Sequence, residues 1–265
     1  MRIFSIASGS SGNCIFVGND TTRLLVDAGV SGKRIMCGLE ERGLFLDDID
    51  GILITHEHID HIGSLGILLR KREIPVYATR GTIDGIFNYD RLGKVNHDLF
   101  IPIDADEEFA VKEIAVEPSR IWHDANEPVC YSFRDDTGKI SIATDLGDFD
   151  EYLVDKLTGS DILMVESNHD VRMLEANQRY TYALKRRILS SSGHLSNERS
   201  GELVTELMQR YPSKAIILGH LSKDNNIPEC ALINMQNYMR EAGFDTSVLS
   251  IEVAGRDCCS AEYSI

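Results

Sequence analysis

The chain has 265 residues, 43% of them hydrophobic and 26% charged, with a formal net charge of −15 at pH 7. No apolar stretch approaches the roughly 20 residues that span a bilayer, and Met1-Arg2-Ile3-Phe4-Ser5 lacks the long apolar region of a signal peptide, so a cytoplasmic protein without membrane contact is expected. The acidity counts against a broad non-specific nucleic-acid surface and leaves room for a local one. Six cysteines without a CxxC pair read as reduced thiols.

Alternation predicts a strand over Arg2 to Ala7. After it, Ser8-Gly9-Ser10-Ser11-Gly12-Asn13 is either an anion-wrapping loop or a tight connection. Cys14 to Gly18 and Arg23 to Asp27 are the next strands, joined at Asn19-Asp20. Asp27 reads as a solvated strand end or as a carboxylate orienting a metal-bound histidine. A helix over Lys33 to Arg42 precedes the apolar run Gly51-Ile52-Leu53-Ile54, which delivers Thr55-His56-Glu57-His58-Ile59-Asp60-His61, and a helix is expected over Ile62 to Arg72. Pro75 to Ala78 and Gly81 to Phe87 follow as strand and helix. Phe109 to Val116 resumes strand character, interrupted at Pro118. Beyond Trp122-His123-Asp124 lie Val129 to Arg134, the turn Asp135-Asp136-Thr137-Gly138, and a strand over Lys139 to Ala143 ending in Thr144-Asp145. Asp161 to Glu166 is a buried strand ending in Ser167-Asn168-His169-Asp170. A basic helix over Tyr180 to Ile188 precedes Gly193-His194-Leu195-Ser196-Asn197, with Ser196 placed to cap a helix running to Met208. Lys214 to Leu218 is a strand ending at Gly219-His220. A helix over Pro228 to Ala242 and a strand around Val248 to Val253 complete the chain. No linker or low-complexity tract divides it, so residues 1–265 are read as one domain.

Apolar strands thus deliver polar residues at their carboxyl ends, at His56, Asp145, Glu166 and His220, where open sheets place their sites. Neutral imidazole and carboxylate suit zinc, manganese and iron. Three histidines within six residues would otherwise all need hydrogen-bond partners. His123 could also be a packed loop residue beside Trp122, and Asp145 a helix cap. Only His97 lacks such a context and is taken as a surface residue.

His56-x-His58-x-Asp60-His61, with Asp27 upstream and His123, Asp145 and His220 downstream, resembles the metallo-β-lactamase superfamily over essentially the whole chain. Ser8 to Cys14, His123-Asp124-Ala125, Thr144 to Gly147, Glu166 to Asp170, Gly193 to Asn197 and Leu221-Ser-x-x-Asn-Asn226 resemble its YycJ (WalJ) group of bacterial metallohydrolases, related to ribonuclease Z. The resemblance implies an α/β fold, a four-layer αββα sandwich with mixed sheets. It further implies two divalent metal ions, zinc or manganese with iron as a third option. His56, His58 and His123 would hold one ion, Asp60, His61 and His220 the other, and Asp145 would bridge them. Hydrolysis of nucleic-acid phosphodiesters, as a 5′→3′ exonuclease at DNA ends, is the implied activity, with a metal-bridging hydroxide as nucleophile. Asp60 would orient or deprotonate that nucleophile, and His194 or His169 would protonate the leaving oxygen.

The same site chemistry also serves small-molecule hydrolases of thioesters, lactones or cyclic phosphodiesters, which is the alternative reading. A redox role fits less well, because the flavodiiron branch carries a carboxylate in the first motif where His58 stands. Lys185-Arg186-Arg187 and Arg179 read equally as phosphate contacts or as a solvated helix face. The sequence leaves the oligomeric state open.

Overall fold

The computed structural model describes residues 1–265. In the first half β1 (Arg2–Ala7), β2 (Cys14–Gly18) and β3 (Arg23–Val26) run antiparallel. The chain then crosses by α1 (Gly32–Glu40) to β4 (Gly51–Leu53), by α2 (Ile59–Ile62) and α3 (Leu65–Lys71) to β5 (Val76–Thr79), and by α4 (Arg80–Phe87) to β6 (Phe100–Ile103). Each of these strands is parallel to the one before.

The second half repeats the plan. Strands β7 (Phe109–Val111), β8 (Ile114–Arg120), β9 (Val129–Asp135) and β10 (Gly138–Ala143) are antiparallel. After them α5 (Glu151–Leu157) leads to β11 (Ile162–Glu166). Then α6 (Val171–Ala176), α7 (Tyr182–Ile188) and α8 (Asn197–Arg210) lead to β12 (Ala215–Gly219), and α9 (Pro228–Glu241) leads to β13 (Ser250–Val253), all in parallel. Finally β14 (Tyr263–Ser264) pairs back on β1. The sheets have the orders β14-β1-β2-β3-β4-β5-β6 and β13-β12-β11-β10-β9-β8-β7.

The strands read as near-continuous apolar runs because both faces of each sheet are covered. In β3, Leu24 and Val26 point into the core between the sheets while Leu25 meets Ile35 of α1 and Leu68 of α3. In β11, Ile162 and Met164 face that same central core, whereas Leu163 and Val165 pack with Leu203 of α8 and Met235 of α9. Three apolar cores therefore separate four layers, the αββα sandwich expected. Fully buried Tyr131 crosses the central core and donates its hydroxyl to Ile54 O at 2.9 Å, tying the second sheet to the strand end that carries the histidine cluster. No helix is long and apolar enough to cross a membrane.

Three local expectations are corrected. The helix expected over Ile62 to Arg72 is two helices, and Asp60 and His61 lie inside the first of them. Asn13 N donates to Asp60 O and Ala28 N to His61 O, so those carbonyls are withdrawn from the helical ladder, and Ser64 N turns to Ala28 O. Phe109 to Val116 is not one strand but a hairpin turning at Lys112, whose φ is 51°. Pro118 does not interrupt β8. It pairs with Tyr131 opposite, and its face on the β7 side lies beyond the last β7 pair at Val116, so no ladder bond is lost there. Strands β6 and β14 and helices α5 and α6 carry too few alternating residues to be read in advance.

Candidate metal centre

Five strands end on one edge of the sandwich, and the residues just past them carry the site: Asp27 after β3, His56 after β4, Asp145 after β10, Glu166 at the end of β11 and His220 after β12. Asp27, Asp145 and His220 hold positive φ of 64°, 59° and 55°. Left-handed backbone at three non-glycine residues costs free energy, and such strain is retained where a side chain must be aimed. The loops lock together by close backbone approach. A Cβ on Gly29 would sit 1.6 Å from Asp60 O, so only glycine lets the end of β3 pass beneath α2.

Each histidine of the cluster has one ring nitrogen tied to an orienting partner and the other turned toward its neighbours in the cluster. Thr55 Oγ1 lies 3.0 Å from Asp27 Oδ2, to which it donates, so it accepts from His56 Nδ1 at 3.0 Å. His56 Nε2 is buried without a hydrogen bond. His61 Nδ1 donates to Asp27 Oδ2 at 2.7 Å, leaving Nε2 facing Asp145 Oδ2 at 3.2 Å and Asp60 Oδ2 at 3.6 Å. His58 Nε2 donates to the carbonyl of Asp124 at 3.2 Å, and His123 Nδ1 to that of Gly193 at 3.1 Å. A carbonyl can only accept, so His58 Nδ1 and His123 Nε2 are bare lone pairs, and they face one another at 3.3 Å. Two converging lone pairs repel unless a cation lies between them, so the donor set fits a metal ion.

The second half supplies the same kind of support. Glu166, fully buried, accepts His220 Nδ1 at 2.7 Å and His194 Nδ1 at 2.8 Å on Oε1, while Oε2 accepts Leu146 N and Leu195 N. Both of its oxygens are used, so Glu166 orients histidines rather than competing with them for an ion. His220 Nε2 is left buried and without a hydrogen bond, 3.5 Å from Asp60 Oδ2. Four groups of side chains could hold a metal ion: His56, His58 and His123; Asp60, His61 and His220; His56, His61 and Asp145; and Asp145, Glu166, His194 and His220, each with its candidate ligand atoms within 4.8 Å of one another.

Electrostatics divides these groups. Burial and neighbouring imidazoles depress His56, and burial also depresses His123, so these stay neutral. Burial opposes protonation of His220 as well, but Asp145, Asp60 and Glu166 outweigh it and push its pKa up to about 10. His61 is raised in the same way, against burial, by Asp27, Asp145 and Asp60.

All seven residues expected as ligands thus stand at one place. His194 joins them, its ring 5.2 Å from those of both His123 and His220. His169 lies outside those groups. It is buried, its Nδ1 faces Asn168 Oδ1 at 3.4 Å, its carbonyl accepts Asn197 N, and burial pushes its pKa down to about 4. The motif residues around it form a buried amide network: Asn226 Nδ2 donates to Ser167 O, and Asn168 Nδ2 donates to His220 O. Exposed His97 stacks on Phe87 at 4.3 Å. The Ser/Gly loop is a brace: Ser8 Oγ accepts His220 N, and Asn13 Nδ2 reaches His61 Nε2 at 3.1 Å. The orienting role of Glu166 is the feature that sequence reading lacks. Its only signal is a carboxylate closing an apolar strand.

Residues 22–220 match the model of the beta-lactamase superfamily domain. The chain is 38% identical over 239 residues to exodeoxyribonuclease YycJ of Bacillus anthracis, covering 90% of this chain and 89% of that protein. It is 39% identical over 247 residues to exodeoxyribonuclease WalJ of Streptococcus pneumoniae, covering 92% and 90%. The crystal structure of the metallo-beta-lactamase fold protein YhfI from Bacillus subtilis superposes with a TM-score of 0.72 at 15% identity, covering 99% of both chains.

Proposed function

The chain belongs to the beta-lactamase superfamily and is a metal-dependent hydrolase, and from that premise we propose that it is an exonuclease that degrades DNA from the 5′ end with a dinuclear metal centre. What supports the DNA substrate is the identity of 38–39% to two proteins named exodeoxyribonucleases along about nine-tenths of each chain. Two ions are supported by the two ligand groups, His56-His58-His123 and Asp60-His61-His220, with Asp145 facing both. Charge balance agrees. Asp27, Asp60, Asp145 and Glu166 bring four negative charges into a largely buried site, which two divalent cations neutralise.

Zinc, manganese or iron ions held there would supply Lewis acidity toward the phosphate and lower the pKa of a bound water toward about 7. The chain's own residues do the rest. Asp60, partly exposed and 3.5–3.6 Å from His220 and His61, is placed to accept a hydrogen bond from the attacking water and orient it. His194 is placed to protonate the leaving oxygen. Burial works against its protonated form, but the Glu166 carboxylate at 2.8 Å raises its pKa and fixes Nδ1–H, so Nε2 is the atom left to face substrate. His169, neutral from burial, holds the start of α8 through its carbonyl to Asn197 N instead of donating a proton.

End-labelled DNA and RNA digested across a panel of zinc, manganese and iron tests this reading. A 5′ label should appear at once as mononucleotide while a 3′ label stays on shortening fragments, and RNA should be digested more slowly. Turnover of a thioester or a cephalosporin but of no DNA and no bis-p-nitrophenyl phosphate would sink it.

A further inference from the structure

The recess beside His194 is small, about 180 Å³, and is lined by Ser10, Asn168, Tyr180, Arg187, His194 and Ser222. It lies below the 300–1,000 Å³ of an ordinary small-ligand pocket. A polymer substrate must therefore continue from it across the surface, and the element that forms its outer rim is α7.

Three properties set α7 apart. None of its seven residues is buried, so it draws little from the core, which is what stabilises most short helices. Its sequence neighbourhood reverses the charge of the chain: residues 172–187 carry five cations (Arg172, Arg179, Lys185, Arg186, Arg187) against the single carboxylate Glu175, in a protein of net charge −15. Its outer face offers Tyr182, 76% exposed, with the Arg186 guanidinium 5.9 Å from the ring centroid.

The cations are not equivalent. Arg187 is spent on Asp124, the neighbour of His123, and so pins α7 beside the site. Arg179 is held by Asp224 at 2.6 Å, and Lys185 donates to Glu175 O. Arg186 has no carboxylate partner and is exposed. Leu184, Arg187 and Ile188 of α7 line the recess, while Tyr182 and Arg186 present an exposed ring and an unpaired guanidinium on the outer face of the same helix, the pairing used to stack bases and hold phosphates of unpaired strands.

Resting on the nuclease reading above, we propose that α7 grips single-stranded DNA as it leaves the metal centre, with a base stacked on Tyr182 and the adjoining phosphate paired with Arg186. A duplex cannot present a base face to Tyr182 without unpairing, so the grip favours single strands and frayed ends.

Steady-state digestion of a dT15 oligonucleotide by the full chain loaded with manganese, with Tyr182→Ala, Arg186→Glu and the control Lys71→Glu at the far end of α3, tests this. Metal content and melting temperature check that each variant is intact. KM for dT15 should rise roughly 5- to 150-fold in the first two variants, the range that one lost stacked base or contact produces, while kcat changes little. Lys71→Glu should leave KM unchanged. The salt dependence of dT15 binding, read by fluorescence anisotropy, should fall by about 0.7 in slope in Arg186→Glu, the loss of one phosphate contact on a single strand. Unchanged KM in both variants while the wild type digests dT15 overturns the grip and leaves the nuclease reading standing. Wild-type protein that hydrolyses bis-p-nitrophenyl phosphate but digests no DNA overturns both.

Discussion

The first half of the chain closes β3 with Asp27-Ala28-Gly29, and the second closes β10 with Asp145-Leu146-Gly147. Both aspartates are left-handed, and in both cases the glycine two residues on lies against another loop, where a Cβ would meet Asp60 O at 1.6 Å or Ser191 O at 2.1 Å. The roles nevertheless diverge. Asp27 is consumed by the strand beside it: Thr55 N donates to its Oδ1, and Thr55 Oγ1 and His61 Nδ1 reach Oδ2. In the second half the neighbouring strand brings its own carboxylate. Glu166 accepts Leu146 N and orients His194 and His220, which releases Asp145 to face His61 and His123. One backbone plan thus makes an orienting carboxylate on one side and one that faces the histidine cluster on the other, and the deciding difference is Thr55 against Glu166 at or just past the end of the adjacent strand.

Substitution of the paired aspartates should break the comparison if it is wrong. Asp145→Ala should lose most bound metal and at least ~100-fold in phosphodiester turnover, whereas Asp27→Ala should weaken metal affinity by about 10–100-fold, as for other residues that orient a ligand. Metal content after dialysis and turnover with saturating metal separate the two, and equal damage would show that the halves do not differ as described. The glycines should instead behave alike. Gly29→Ala and Gly147→Ala each drive a methyl into backbone and should cost about 3 kcal/mol in denaturant unfolding, since neither role depends on which aspartate faces the metal.

The protonation of His220 sharpens the contrast in a different way. With a pKa near 10, it carries a proton at neutral pH that an incoming ion must displace. Metal affinity should therefore rise with pH up to about 10, and calorimetry in buffers of different ionisation enthalpy should register released protons. His56 and His123, which burial keeps neutral, require no such release, so an ion held chiefly by these two would show a shallower dependence. His97→Ala, outside both halves of the site, should change stability by less than about 0.5 kcal/mol and leave turnover intact.

Much of this was legible in the residues. Buried strands advertise themselves as apolar runs, and a polar residue where such a run stops is conspicuous, so His56, Asp145, Glu166 and His220 stood out one by one. The dense group from His56 to His61 was plainest because a single loop holds four of the seven proposed ligands. Ser196 was recognisable as a helix cap and accepts Arg199 N at 3.2 Å. The break between α2 and α3 was not legible, because it is made by Asn13 and Ala28, donors from distant segments that compete for Asp60 O and His61 O. Nor was the placement of Pro118 within β8, which depends on where its neighbour β7 turns away.

The sequence alone determined the layered fold and singled out the side chains proposed as metal ligands, because hydrophobic period and residue chemistry are local properties of the chain. Tertiary structure alone decided which nitrogen of each histidine is tied to an orienting partner and which is turned toward the cluster, and which carboxylates are consumed in that orientation. Those choices are made by hydrogen bonds between residues up to 70 positions apart, such as His123 Nδ1 to Gly193 O, and no period along the chain records them.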